Sequence, residues 1–361
     1  MENHILFHVE NGAGWITLNR PKAVNSLSVS MVEELGSRLA EWKQDDSVRI
    51  VCIEGAGEKG LCAGGDMRSL YDKKDSGVEK YAKAFFETEY RMNAALHHFP
   101  KPVLAYMNGI VMGGGMGIAM PASERIVTEK SRIAMPEMNI GFFPDVGASY
   151  FLNKMPGYTG RYLALTAGSI TAGDVLYLGA ADHFMESRRW AELSQAIRAC
   201  NWQEAGDNPT ATLREIIAQY AAPAPESLLA PHQADIDKHF TYESVGRILD
   251  SLDGAAEEGN EWAHQTASAI KTKSPVSLAV ALEQLIRGEK MALGDCFRME
   301  LNMSLNFMRS HDFYEGVRSV LVDKDRNPKW EPASLENVKI EDIEAFFSDP
   351  WKGRLHPLHD L

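Results

Sequence analysis

Cysteine is scarce and scattered in this chain: the four, Cys52, Cys62, Cys200 and Cys296, form no C-x-x-C pair among 361 residues. That makes a thin framework for a chain of this size, so reduced thiols are expected rather than disulfides. Positive charge is also in deficit. Lysine and arginine number 37 against 50 aspartates and glutamates, a formal net charge of −13. A nucleic-acid partner is thereby disfavoured, because phosphate binding needs a basic stripe. No apolar run reaches the roughly 20 residues that span a bilayer. The opening MENHILFHVENGAG lacks a basic segment followed by an apolar signal core. The expectation is no membrane partner, a cytoplasmic location and small-molecule work.

Several catalytic signatures are missing as well. GASYF around Ser149 lacks the second glycine of a G-x-S-x-G elbow, and H-E-x-x-H does not occur. His97 and His98 have no obvious third ligand nearby, so no metal is assigned. GAGEKG, Gly55 to Gly60, matches the dinucleotide pattern in letters, but LCAGGD follows where a helix should open, which makes it a loop. DKDRNP, Asp323 to Pro328, begins like a calcium loop but has Pro328 at the glycine position and Ser334 where the bidentate glutamate belongs.

What is present is an α/β pattern over roughly residues 1–190, followed by a mainly helical region over 191–361. ILFHVENGAGWITLNR reads as two strands around an Asn11-Gly12 turn. SVSMVEELGSRLAEW follows with apolar residues at helical spacing and a capping box from Ser30 to Glu33. RIVCIEG is a short buried strand, Val78 to His97 a long helix, PVLAYMNGIV one strand, and ERIVTEKSRIAM two more. Past Trp190 strand signals nearly vanish. Ser274-Pro275 opens a helix, and QYAAPAPESLLAP, with Pro223, Pro225 and Pro231, is a hinge-like loop.

Two glycine-bearing turns and two acids carry the chemistry. CAGGD, Cys62 to Asp66, and MGGGMG, Met112 to Gly117, each offer free backbone N–H groups, the second at a strand-to-helix change. One N–H from each could grip a single oxygen as an oxyanion hole, although close packing through small residues explains either turn alone. AMPEMNIGFFPDVGAS then sets Glu137 and Asp145 among apolar residues, where an acid is costly unless paired or used. Asp145 reads equally as a helix N-cap; Glu137 stands in a strand-like exit with no helix to cap.

ITLNRPKAVNSLS, CAGGDMRSL, NGIVMGGGMGIAM and MPEMNIGFFPDVG, in that order and spacing, resemble the enoyl-CoA hydratase/isomerase (crotonase) family. RSHDFYEGVRSVLVDKDRNPKW, Arg309 to Trp330, is similar to its 3-hydroxyisobutyryl-CoA hydrolase branch. The resemblance implies a crotonase-like spiral of β-β-α units followed by a helical C-terminal region, and an acyl-CoA substrate whose CoA is no separate cofactor. It implies an oxyanion hole from the N–H groups of Ala63 and Gly114, and Glu137 as the catalytic glutamate. Asp145 and Glu89 would line the acyl pocket, Gly65 and Asp66 would contact substrate, and Lys22 would approach the CoA nucleotide. Relatives of this fold form homo-oligomers, while the helical C-terminus could cover that surface here.

Hydratases of the family carry a second glutamate two residues beyond the glycine turn, and here that position is Gly117. The resemblance therefore points to thioester hydrolysis in valine breakdown, with Glu137 either attacking the carbonyl or deprotonating water. Enoyl-CoA hydration or isomerisation, and non-catalytic acyl-CoA binding, are the alternatives.

Overall fold

The computed structural model describes residues 3–361. Two compact units emerge, each assembled from three stretches of chain. The first takes Met1–Gly65, Arg91–Ile133 and Ile170–Ala230; the second takes Asp66–Tyr90, Ala134–Ser169 and Pro231–Leu361. Spatial grouping thus differs from a cut at residue 190.

Strands β1 Ile5–Glu10, β2 Ala13–Leu18, β3 Ile50–Gly55, β4 Gly60–Cys62, β5 Val103–Met107, β6 Ile110–Met112, β7 Glu124–Val127, β8 Arg132–Ala134 and β9 His183–Phe184 form two sheets. One has the order β1-β2-β3-β5-β7-β9, the other β4-β6-β8. β1 and β2 are an antiparallel hairpin turning at Asn11 (φ 50) and Gly12 (φ 90), as the Asn-Gly pair predicts. The rest of the larger sheet pairs in parallel. Three times along the chain, a strand of the large sheet is followed by one of the small sheet and then by helix. This is the β-β-α spiral, and among the described residues no strand follows β9.

Local differences from the sequence reading have local causes. PVLAYMNGIV is two strands, because the Asn108-Gly109 turn, with Gly109 at φ 62, sends β5 and β6 into different sheets. The helix Val29–Gln44 is capped by Ser28, whose side chain accepts from the Met31 N–H, so Ser30 lies inside the first turn. Extended pairing runs up to Leu27, whose N–H donates to the Gly64 carbonyl at 2.9 Å, and the helix starts directly after it.

Helices Trp190–Ala199 and Pro209–Ala218 belong to the first unit because they cover its large sheet. Leu193, Ile197, Leu213 and Ile217 pack with Trp15, Cys52, Leu104 and Ile126 in one buried cluster. Trp190 stacks on Tyr106 at 3.8 Å, and the Arg198 guanidinium lies 3.7 Å over the Trp15 ring. The proline-bearing stretch before Ala230 is anchored rather than loose: Asp174 accepts from the Ser227 hydroxyl and the N–H groups of Leu228 and Leu229.

The second unit is mainly helical around an aromatic core. Phe142 lies 5.8 Å from Phe86, 5.1 Å from Phe307 and 5.5 Å from Phe313. Helix Pro275–Gly288 starts on the predicted Ser274 cap. Asp323 and Asp325, in the stretch that mimics a calcium loop, both accept from Arg318 at 2.8 Å. Among the described residues no helix is long and apolar enough to cross a membrane.

Candidate functional site

Within the first unit the two glycine turns come together. A Cβ added to Gly115 would sit 2.5 Å from the Cys62 carbonyl oxygen, and one on Gly64 would sit 3.6 Å from the Gly114 nitrogen. Only glycine permits the approach at position 115, which sets the two backbones side by side. Gly114 opens the helix Gly114–Ala119, where a first-turn N–H has no acceptor within the helix. The donor assigned to the other turn needs correction. The Ala63 N–H is already bonded to the Val24 carbonyl at 2.9 Å, and Gly64 faces the Cys62 sulfur at 3.4 Å. Among the described residues the Gly65 N–H meets no acceptor, which leaves it as the unengaged donor of that turn.

In the second unit Glu89, Glu137 and Asp145 are all buried, with relative exposures of 1%, 5% and 1%. Glu89 and Tyr90 lie in the helix Val78–His97. Glu137 opens a short 3-10 turn, Glu137–Ile140, rather than leaving a strand. Asp145 caps nothing, since Gly147 precedes the helix Ala148–Phe151. Its carboxylate instead accepts from the Tyr90 hydroxyl at 2.9 Å, and that hydroxyl lies 2.7 Å from Ser304 Oγ. One proton per hydroxyl makes this a chain in which Ser304 donates to Tyr90 and Tyr90 to Asp145.

Burial dominates the electrostatics of this cluster. It pushes Asp145 up to about 7 against the opposing Tyr90 hydrogen bond. Burial, and then the charge of Asp145, hold Glu89 and Glu137 well above the usual carboxylate range. The three acids titrate as a set, since ionising one disfavours the next. Both oxygens of Glu89 and Oε2 of Glu137 are buried with no hydrogen-bond partner. Unpartnered buried oxygens are costly, and each calls for a partner such as water, an ion or a ligand.

The Glu137 turn takes its shape from the segment that marks the hydrolase branch. A Cβ on Gly316, in helix His311–Val317, would collide with the Ile140 carbonyl, and one on Gly141 with the Asp312 carbonyl. The Asp145 turn has its own support, in which Glu300 accepts from the Gly147 and Ser149 N–H groups at 2.7 and 2.9 Å and from the Ser149 hydroxyl at 2.6 Å. Gln284 donates to the Pro144 carbonyl and to Ser149 Oγ.

Tyr90, Ser304, Glu300 and Gln284 were invisible in the sequence, because each looks like an ordinary helix residue until the fold brings it against Asp145 or its turn. Other expected contacts fare variously. Asp66 caps helix Met67–Asp72, accepting from the Ser69 N–H at 3.3 Å, and so has a structural duty. Lys22 is exposed in the turn Pro21–Ala23 and makes no ion pair among the described residues. Gly117 lies buried inside helix Gly114–Ala119 and offers no acid. No group of three or more His, Cys, Asp or Glu suited to a metal occurs among the described residues.

A family model described as enoyl-CoA hydratase/isomerase matches residues 13–347. The mitochondrial 3-hydroxyisobutyryl-CoA hydrolase of Gallus gallus is 40% identical over 95% of this chain and 88% of its own length. That of Homo sapiens is 37% identical, again over 95% of this chain and 88% of its own length. Among solved structures, a carnitinyl-CoA dehydratase from Mycobacterium thermoresistibile superposes with a TM-score of 0.89 at 39% identity, covering 96% of this chain and 97% of that one. An enoyl-CoA hydratase from Rhodobacter sphaeroides does so with a TM-score of 0.86 at 33% identity, over 96% and 98% of the two chains.

Proposed function

Because the chain belongs to the enoyl-CoA hydratase/isomerase family, we propose that it hydrolyses 3-hydroxyisobutyryl-CoA, and with it 3-hydroxypropionyl-CoA, to the free acid and coenzyme A. The reaction would serve valine breakdown. The observation that carries this reading is the composition of the acid set: Glu137 is buried and electrostatically coupled to Asp145, while the position of the hydratases' second glutamate is Gly117. Adding water across a double bond calls for two acids around the alkene. Cleaving a thioester calls for one group that attacks or activates water and one that manages the proton.

In this reading the thioester oxygen accepts from Gly114 N–H and from the Gly65 N–H, which takes the place first given to Ala63. Losing one such donor costs ~3 kcal/mol of transition-state stabilisation. Glu137 either adds to the carbonyl carbon, so that the C–S bond breaks and water later opens the mixed anhydride, or removes a proton from water that adds directly. With its proton affinity near neutrality, Asp145 donates to the departing thiolate; in the anhydride route it then takes a proton from the attacking water, and in the direct route Glu137 takes that proton. Glu89, whose oxygens have no partner within the protein, accepts from the substrate's 3-hydroxyl and so favours hydroxyacyl chains. Coenzyme A belongs to the substrate; the reading calls for no further cofactor, a cytoplasmic location, and an assembly that ranges from monomer to homo-oligomer.

The test is free-thiol release from 3-hydroxyisobutyryl-CoA, 3-hydroxypropionyl-CoA and crotonyl-CoA, with wild type beside Glu137→Gln. Release from the hydroxyacyl thioesters, lost in the variant while ligand binding persists, is the expected result. Consumption of crotonyl-CoA without thiol would return the protein to hydration or isomerisation, as the names of the two structural relatives suggest for those proteins. Binding without turnover in wild type would make it an acyl-CoA binding protein.

A further inference from the structure

Glu300 is a fully buried acid that the proposed mechanism does not use. It lies in helix Leu293–Phe307, one turn before the Ser304 that completes the hydroxyl chain to Asp145. Its two oxygens accept three hydrogen bonds, all from one short turn: Gly147 N–H, Ser149 N–H and Ser149 O–H. That turn is unusual. Val146 has φ 54 and Gly147 φ 89, and the left-handed region is unfavourable for a β-branched side chain. Such a conformation persists only where surrounding bonds over-determine it, and it fixes where the preceding residue, Asp145, points.

We propose that Glu300 is a positioning residue, whose carboxyl group clamps the Val146–Ser149 turn and thereby holds Asp145 in line with the Tyr90 hydroxyl. This rests on the hydrolase reading for its kinetic consequence, and on geometry alone for its structural one. All three bonds run from the turn to Glu300, whose two oxygens act as acceptors in each of them. Burial pushes Glu300 up to about 8, opposed by the Ser149 and Gly147 donors and raised further by Asp145. The other ionisable groups that feel it are Tyr90 and Cys296, both raised first by burial and further by neighbouring charges, that of Glu300 among them. An amide at this position keeps the volume but turns an N–H toward one of the donors, so the clamp opens without leaving a cavity.

The experiment compares wild type with Glu300→Gln and Ser149→Ala in the full-length protein, by hydrogen exchange over residues 145–149, melting temperature, and kcat, KM and pH profile for thiol release. Exchange should quicken at the Gly147 and Ser149 amides in Glu300→Gln. kcat should fall at least ~10-fold with KM within about twofold and the Asp145-dependent limb of the profile displaced, as expected when a reacting group is misaligned. Ser149→Ala, which removes one of the three donors, should shift each quantity the same way by less, and it carries the test if Glu300→Gln fails to fold. Unchanged exchange over 145–149, or unchanged kcat and pH profile in a folded variant, would overturn the proposal. Absence of thiol release by wild type would defeat the hydrolase reading instead, and the exchange result would still judge the clamp.

Discussion

In the first unit, the Cys62–Gly65 and Met112–Gly117 turns present backbone N–H groups held by glycine packing and by bonds such as Leu27 N–H to the Gly64 carbonyl. In the second, Glu89, Glu137 and Asp145 lie buried, with three of their oxygens unpartnered and their proton affinities raised. The donors come with the backbone at little conformational cost. The acids are held against their own solvation, so they lower stability in return for reactivity. Substitutions in the two places should therefore move stability in opposite directions.

Asp145→Asn should have the largest effect. Thiol release should fall by ~100-fold or more, while stability rises above neutral pH. The sign follows from the raised proton affinity: with the folded value at about 7 and the ordinary value at 3.8, the native state binds more protons between the two. Stability of the wild type therefore declines as pH climbs through that window. The gain in melting temperature of the variant should be full above pH ~7 and vanish towards pH ~4. An equal gain at both ends would show that burial of the charge is not its source.

Gly115→Ala should be next, with the opposite sign on stability. Its Cβ would press on the Cys62 carbonyl, forcing the turns apart at a cost of ~1–3 kcal/mol, and thiol release should drop by roughly tenfold or more as an oxyanion donor moves. A variant as stable as wild type would mean that the turns are not held by close approach. Glu89→Gln should raise the melting temperature above neutral pH and reduce kcat/KM for hydroxyacyl thioesters about tenfold more than for unhydroxylated ones. Equal losses on both would remove hydroxyl recognition from its role. Lys22→Ala should be mildest, raising KM a few-fold at low salt with kcat unchanged, and the difference should shrink as ionic strength screens it.

The same contrast explains what was legible in the sequence. The helix Val78–His97 matches its reading end to end, because an amphipathic period is a local signal. The glycine turns were legible for the same reason, but which N–H stays free was not. Ala63 is engaged by the Val24 carbonyl, and only the fold reveals that pairing. Glu137 and Asp145 could be picked out as acids in an apolar stretch. Their helpers could not, since Tyr90, Glu300 and Ser304 sit on helices whose period explains them fully as packing residues. The sequence places residues 191–218 in a mainly helical region, and pattern alone cannot tell that Leu193 and Ile197 cover the sheet bearing Trp15.

The close approach of Gly316 to Ile140 and of Gly141 to Asp312 also has a bearing on biosynthesis. A ribosome that has released residues up to Ser149 has already made every motif by which the family is known. The turn bearing Glu137 lacks its abutment until the helix His311–Val317 emerges, and the turn bearing Asp145 lacks its own until Glu300 does. Nascent chains and C-terminally truncated products should thus be inert towards thioesters, and competence should arise only when nearly the whole chain has been made.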